Sequence, residues 1–353
     1  MPFPRITMKD VALKIGVHTT TVSLALRNSP QLPLATRERI QTVARKMGYR
    51  QDPMLTALVA YRANVSAHKI QQEVAMIFDF ASPGELAQAP LPYRQFLAGA
   101  TRKAGELGYG IHPYFFEGPS RLTEGRRLGR VLACRGIKGI IICAFRPRTT
   151  RFELDWSRFS AVQIESQHLD LPLHNVSMDQ MTMAREAVRR LAQRGYHRIG
   201  IAIGRDEEIS LDHAFTMGFF GEASLHPELE LAPALALLNG ESVAGIAPAL
   251  RHWIRQHRIE AIISNWHTVP AALAATRVEG TPDPDVVILG LTADNSPCDG
   301  VRQRDAEVGE RAMEQLAMLL KTNQTGPVAT PNRILVPGTW IAGTRPVESP
   351  CPT

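Results

Sequence analysis

Residues Thr7 to Arg50 read TMKDVALKIGVHTTTVSLALRNSPQLPLATRERIQTVARKMGYR, and their apolar spacing predicts three short helices. Thr7 can cap the first, its hydroxyl accepting from the amide three residues on, with Asp10 near the reciprocal position of a capping box. Val11, Ala12 and Ile15 then share one helical face. Gly16-Val17 interrupts the pattern, and a second helix is expected at about 19–27 with Val22, Ala25 and Leu26 inward. Pro33 opens a third, in which Ile40, Val43, Ala44 and Met47 form the buried stripe and Gly48 supplies the stop. Helix, tight glycine turn, helix and supporting helix make a helix-turn-helix.

The same segment holds the charge. Residues 1–62 contain ten basic and three acidic side chains, a balance of +7, while the other 291 residues stand at −1. A small basic headpiece on a near-neutral body is the electrostatic footprint of a nucleic-acid binder. The whole chain has 353 residues, 44% hydrophobic and 21% charged, which predicts two or three domains and excludes wholesale disorder. No apolar run is long enough to span a membrane. Arg5, Lys9, Asp10, Lys14 and Arg27 interrupt the first thirty residues, so no secretory leader is expected. Cys134, Cys143, Cys298 and Cys351 form no C-x-x-C and read as reduced thiols or small core residues in a cytoplasmic protein.

Beyond the headpiece, Asp52-Pro53 is a strong helix start, Asp at the cap and Pro at the first turn. The segment 52–60 is expected to be a short helix, too short to be stable alone in water, with 64–72 as linker. The body then alternates β-branched runs (74–80, 110–116, 139–145, 161–165, 198–203, 261–264 and 286–289) with amphipathic stretches such as 93–107, 181–194 and 308–320. Such alternation predicts parallel sheets with helices on both faces. A helix ends into a strand at Gly108-Tyr109 and again at Gly195-Tyr196. That recurrence suggests two α/β subdomains of like topology, with a ligand cleft between them at the carboxyl ends of strands.

The headpiece resembles the LacI/GalR family of bacterial transcription regulators. Lys9-Asp10-Val11-Ala12, Gly16-Val17, Thr21-Val22-Ser23, Asn28, Thr36-Arg37-Glu38-Arg39-Ile40 and Gly48-Tyr49-Arg50 carry the resemblance, about forty residues in register. The body matches more loosely, through its length, its two α/β units and Val308-Gly309 before a helix. The resemblance implies an all-α helix-turn-helix headpiece (1–51), a hinge helix and linker (52–72) and an α/β core (73–353) of the periplasmic-binding-protein-like type. The core subdomains are expected at about 73–172 with 297–327, and at about 173–296 with 328–345. The resemblance further implies a homodimeric repressor-type protein on a pseudo-palindromic double-stranded operator, with a small-molecule effector in the cleft.

The first turn of a recognition helix points at base edges, which places Thr19 and Thr20 at the bases and Leu24 one turn later. Simple helix capping is the plainer role for the two threonines. Thr21, Ser23 and Asn28 suit phosphate oxygens, with Arg27 and Arg37 adding charge, and Tyr49 belongs with this set. Where Leu24 stands the family usually has Arg, and His18 replaces its usual Ser. The resemblance puts Leu58 at the minor-groove wedge, a side chain prised between base steps to kink the duplex. Packing against the core or a partner chain is the alternative.

Effector candidates follow strand ends: Ser82, Phe145, Glu165, Asp179, Trp266, His267 and Asp294. Aromatic faces beside carboxylates suit polyols, so a sugar or sugar derivative is the expected ligand class. Sugar-binding members have an Arg three residues before the glycine read here as Gly218, and this chain has Phe215. Their Asn-Asp pair appears as Trp266-His267. No hydrolase, metalloprotease, P-loop or dinucleotide motif is present, and His252 and His257 lack metal-ligand spacing. No enzyme activity, metal or cofactor is therefore expected. A ligand-responsive DNA-binding regulator leads; a cytosolic ligand-binding protein or an α/β enzyme with a DNA-binding module is the alternative.

Overall fold

The computed structural model describes residues 6–49, 72–115, 121–146, 152–169, 171–238, 242–277, 282–291 and 296–344. The hinge segment with Leu58, and Asp294, lie outside them.

Three helices build the headpiece: α1 (Met8–Ile15), α2 (Thr19–Leu26) and α3 (Leu34–Lys46). The capping box forms in full, with the Asp10 amide donating to Thr7 Oγ1 at 3.3 Å and the Thr7 amide to Asp10 Oδ2 at 2.8 Å. Gly16 ends α1 at φ 76°, the left-handed region open to glycine without strain. Helix α2 is capped by His18, whose Nδ1 accepts from the Thr20 amide, so neither threonine is the cap. Val11, Ala12, Val22, Ala25, Ile40 and Ala44 close a core of their own, and Gln41 Nε2 ties α3 to the Ala25 carbonyl at 2.8 Å.

The body opens with β1 (Gln72–Phe78), α4 (Pro83–Gln88), α5 (Leu91–Leu107), β2 (Tyr109–Phe115), α6 (Arg121–Cys134), β3 (Gly139–Cys143), β4 (Ser160–Ile164) and β5 (His174–Met178). It continues through α7 (Gln180–Gln193), β6 (Arg198–Gly204), α8 (Arg205–Ser210), α9 (Ala214–Ala223), β7 (Glu230–Leu231) and β8 (Leu235–Leu237). Next come α10 (Val243–His257), β9 (Ala261–Ser264), α11 (Thr268–Ala275), β10 (Asp285–Leu291) and β11 (Asp299–Arg302). The described chain closes with α12 (Asp305–Thr322), β12 (Arg333–Val336) and β13 (Thr339–Ile341).

The strands form two sheets. One has the order β12-β5-β4-β3-β1-β2; the other runs β13-β11-β10-β9-β6-β7, with β8 also on β6. All pairings are parallel except β11 with β13. Buried on both faces, β1 and β3 pair Val74 with Gly139 and Ile77 with Ile142, the continuous apolar reading typical of a covered parallel strand.

The chain passes between the sheets three times: after β5, between β11 and α12, and between β12 and β13. Each passage falls several residues beyond the expected divisions at 172/173, 296/297 and 327/328. The strands responsible carry weak signals. His174-Asn175-Val176-Ser177-Met178 is fully buried despite three polar residues, and β11 and β12 have four residues each. Helix α12 returns to the first sheet and crosses α5 at backbone contact: a Cβ on Gly99 would run into the Ala306 carbonyl, and one on Gly309 into the Phe96 carbonyl.

Candidate functional site

Two surfaces carry candidate function. On the headpiece, Thr20 is exposed on the first turn of α2, while Thr19, Thr21, Ser23 and Leu24 are half-buried. The Thr20 hydroxyl lies 2.8 Å from His18 Nδ1, which fixes its rotamer at the helix start. Arg27 is exposed just beyond α2, and its Nε donates to the Ser23 carbonyl. Asn28 and Arg37 are occupied with each other. Asn28 adopts φ 54°, and Arg37 Nη1 donates to its carbonyl at 3.0 Å and its Oδ1 at 2.8 Å. Their first role is to hold the turn after α2 against α3. Tyr49 packs on the headpiece core, and its amide donates to the Ala44 carbonyl.

The second surface is a cleft of about 1070 Å³ between the two sheets. Residues following the carboxyl ends of β1, β3, β4, β6, β9 and β11 meet there, the position where parallel strand ends and helix starts converge. Among the sequence candidates, Phe145, Glu165, Phe215, Trp266 and His267 all line it. Ser82 and Asp179 do not. Each caps a helix instead: Ser82 accepts from the Glu85 amide at the start of α4, and Asp179 from the Thr182 amide at the start of α7. A residue after a strand end is also the natural cap of the next helix, and spacing alone does not separate the two roles.

Phe145 and Phe215 are 1% and 2% exposed and form cleft wall. Phe215 sits in the first turn of α9, which approaches α7 so closely that a Cβ on Gly218 would meet the Met181 carbonyl. Trp266 hydrogen-bonds the Glu207 carboxylate, and Asn265 Oδ1 accepts from the Gly204 amide at 3.0 Å. His267 is held below the usual histidine pKa by desolvation. The backbone at two strand ends is in the left-handed region, Ala144 at φ 42° and Glu165 at φ 49°, an arrangement that costs free energy and clusters at functional sites.

Asp305, Glu207, Gln180 and Arg146 also line the cleft, although strand-end spacing does not single them out. Asp305 opens α12 directly after β11, so the strand-end rule reaches it once β11 is recognised. Its side chain is 6% exposed, and Oδ1 has no hydrogen-bond partner. Burial pushes the Asp305 carboxyl up to about 7. Burial, with the Asp305 charge adding, does the same to Glu165, although Glu165 Oε1 accepts from the Met178 amide and from Gln180 Nε2. Glu207 is raised as well, mainly by burial. Desolvation disfavours a charged carboxylate unless a cation or donors answer it. Cys143 is fully buried with its thiol pushed up by desolvation, a core residue rather than a nucleophile.

Comparison with known proteins bears on both surfaces. The family "Bacterial regulatory proteins, lacI family" matches residues 7–52. The HTH-type transcriptional repressor CytR of Escherichia coli is 28% identical over 214 residues, 60% of this chain and 58% of that protein. The chain therefore spans under two thirds of the length of this curated relative. The HTH-type transcriptional regulator CelR of Thermobifida fusca is 24% identical over 345 residues, covering 94% of this chain and 96% of the relative. Among solved structures, a transcriptional regulator CelR–cellobiose complex superposes with a TM-score of 0.58 at 18% identity, covering 96% of this chain and 98% of that one. A lac repressor dimer bound to operator and the anti-inducer ONPF gives 0.55 at 17% identity over the same shares. At such identities the structural likeness establishes the fold: a helical headpiece on a two-sheet parallel α/β core.

Proposed function

We propose, from the match of residues 7–52 to the lacI family of bacterial regulatory proteins, that the chain is a transcription regulator whose DNA affinity is set by a small molecule in the cleft. Thr19, Thr20 and Leu24 face base edges, Thr21 and Ser23 flank them at the backbone, and Arg27 meets phosphate. One short recognition helix reads few bases, so two copies of the chain act together on a pseudo-palindromic double-stranded site. The protein works in the cytoplasm, by binding rather than by turnover. Domain division follows the sheets: headpiece, hinge segment and two α/β halves, with the ligand between the halves.

The observation that carries this reading is the meeting of Phe145, Glu165, Phe215, Trp266 and His267 in one cleft, in a chain whose other end is a basic helix-turn-helix. Three chain passages join the halves, so closure on a ligand changes their mutual angle and is felt where the chain leaves β1 for the headpiece. The relative solved with cellobiose supports a sugar or sugar derivative as the ligand class; aromatic faces beside carboxylates suit such a body. The test is selection of bound sequences from random DNA by the full chain, with and without a metabolite pool. A two-fold symmetric motif whose recovery changes with the pool is expected; no enriched motif would sink the reading.

A further inference from the structure

The cleft is electrostatically incomplete in one direction. Its arginines are already engaged: Arg146 pairs with Asp79 and Glu85, Arg304 with Glu307, and Arg102 with Glu310, while Arg302 too has a partner. Glu165, Glu207 and Asp305 form no ion pair among the described residues. One oxygen of Glu207 and one of Asp305 are buried without a hydrogen-bond partner, and Asp305, 6% exposed, lines the cleft. A buried carboxyl oxygen that faces the cleft with no protein donor can accept from a bound molecule, and a carboxylate gains most from a charged donor.

The same lining is rich in aromatic side chains: Phe80, Phe145, Phe215 and Trp266. Ring faces attract cations. The cleft already shows this chemistry, because the Arg146 guanidinium carbon stands 4.6 Å from the centre of the Phe80 ring.

We propose that the ligand of this cleft is a small organic cation, whose ammonium or guanidinium group is received by Glu165, Glu207 and Asp305 and whose body lies against the aromatic wall. This rests on the cleft being the regulator's ligand site and narrows its ligand class. A neutral polyol brings hydroxyl donors to the same oxygens but no charge to offset three carboxylates. An amino sugar, or an amine on an apolar ring, brings both.

Calorimetric titration of the full chain with matched pairs tests it: glucosamine against glucose, and phenethylamine against 2-phenylethanol. Within each pair the ammonium member binds about ten-fold more tightly or better. The near-isosteric double variant Glu165→Gln/Asp305→Asn removes that preference, and Glu165→Gln alone, at a half-buried position, reduces it. Equal or tighter binding of the neutral members overturns the proposal, as does failure of both amines to bind or a preference that survives in the variants. If the amines fail while the chain still selects a metabolite-responsive DNA motif, the cation alone is wrong. If DNA selection fails while the amines bind, the regulator reading alone is wrong.

Discussion

The headpiece and the cleft place their working side chains by opposite means. In the headpiece, His18, Thr20 and Arg27 are positioned by caps and turns within a few residues, and Arg37 reaches back to Asn28 across the turn, over a core that closes among α1, α2 and α3. In the cleft, Phe80, Glu165, Phe215, Trp266 and Asp305 come together from five distant points of the chain, and no local motif holds any two of them. The first region is built from helices whose hydrogen bonds are local. The second is built from parallel strands, whose partners are necessarily far away in sequence. A change in the headpiece should therefore act on one turn, and a change in the core should act on the whole sheet arrangement.

The largest expected effect is on that arrangement. Gly99→Val drives a side chain into the Ala306 carbonyl where α5 crosses α12, and overpacking of this kind costs about 3 kcal/mol. The core melting temperature should fall by on the order of 10 °C, while DNA contact by the headpiece, closed on its own core, is spared at low temperature. Calorimetric scanning measures it, and an unmoved transition would mean that the two helices do not touch there.

Next is pH. The Glu165 and Asp305 carboxyls rise from 4.5 and 3.8 to about 7 in the folded chain. Between those limits the folded state therefore holds more protons than the unfolded one, and these groups make stability fall as pH rises through about 4–7. The ligand-free protein should gain melting temperature as pH drops from about 8 to about 5, by several degrees. Glu165→Gln and Asp305→Asn should flatten this trend and raise the melting temperature at the upper end. A trend of the same steepness in both variants would place its origin elsewhere.

Within the headpiece, Arg37 and Arg27 separate structure from contact. Arg37→Ala loses both bonds to Asn28 and should cost about 1–3 kcal/mol of headpiece stability. Its melting transition should move, with the salt dependence of DNA binding little changed. The smallest effect is that of Arg27→Ala. It should leave the melting transition in place and lower the slope of log affinity against log salt by about one unit, the loss of one phosphate contact. Identical behaviour of the two variants in both measurements would erase the distinction drawn between them.

Much of this was legible before any fold was seen. The three headpiece helices lie within a residue or two of their expected spans, because capping chemistry and the 3.6-residue period are read directly from neighbours. Seven body strands are also found close to their expected positions, since buried parallel strands are continuous apolar runs. Strand β5 escaped because His174, Asn175 and Ser177 look like loop. Two of those polar positions are backed by bonds to Asn332: its amide donates to His174 Nδ1, and its carbonyl accepts from the Asn175 amide. With β5, β11 and β12 unread, the passages between the sheets were expected too early. Ser82 and Asp179 follow strand ends just as Glu165 does, and only their cap bonds separate them from it.

The sequence by itself determined the helix-turn-helix, the concentration of charge at one end, the alternation of strand and helix, and four of the side chains that line the cleft, Phe145, Glu165, Trp266 and His267, while Phe215 came from the family resemblance. Each of those follows from residue type and short spacing, because helix caps, apolar periods and net charge are local or additive. Only the tertiary structure decided which strands share a sheet, that Asn28 and Arg37 answer each other, and that Glu165, Glu207 and Asp305 pair with no cation among the described residues. Whether a charge is answered depends on what stands within a few ångströms of it, and in a parallel sheet those neighbours come from strands scattered along the whole chain.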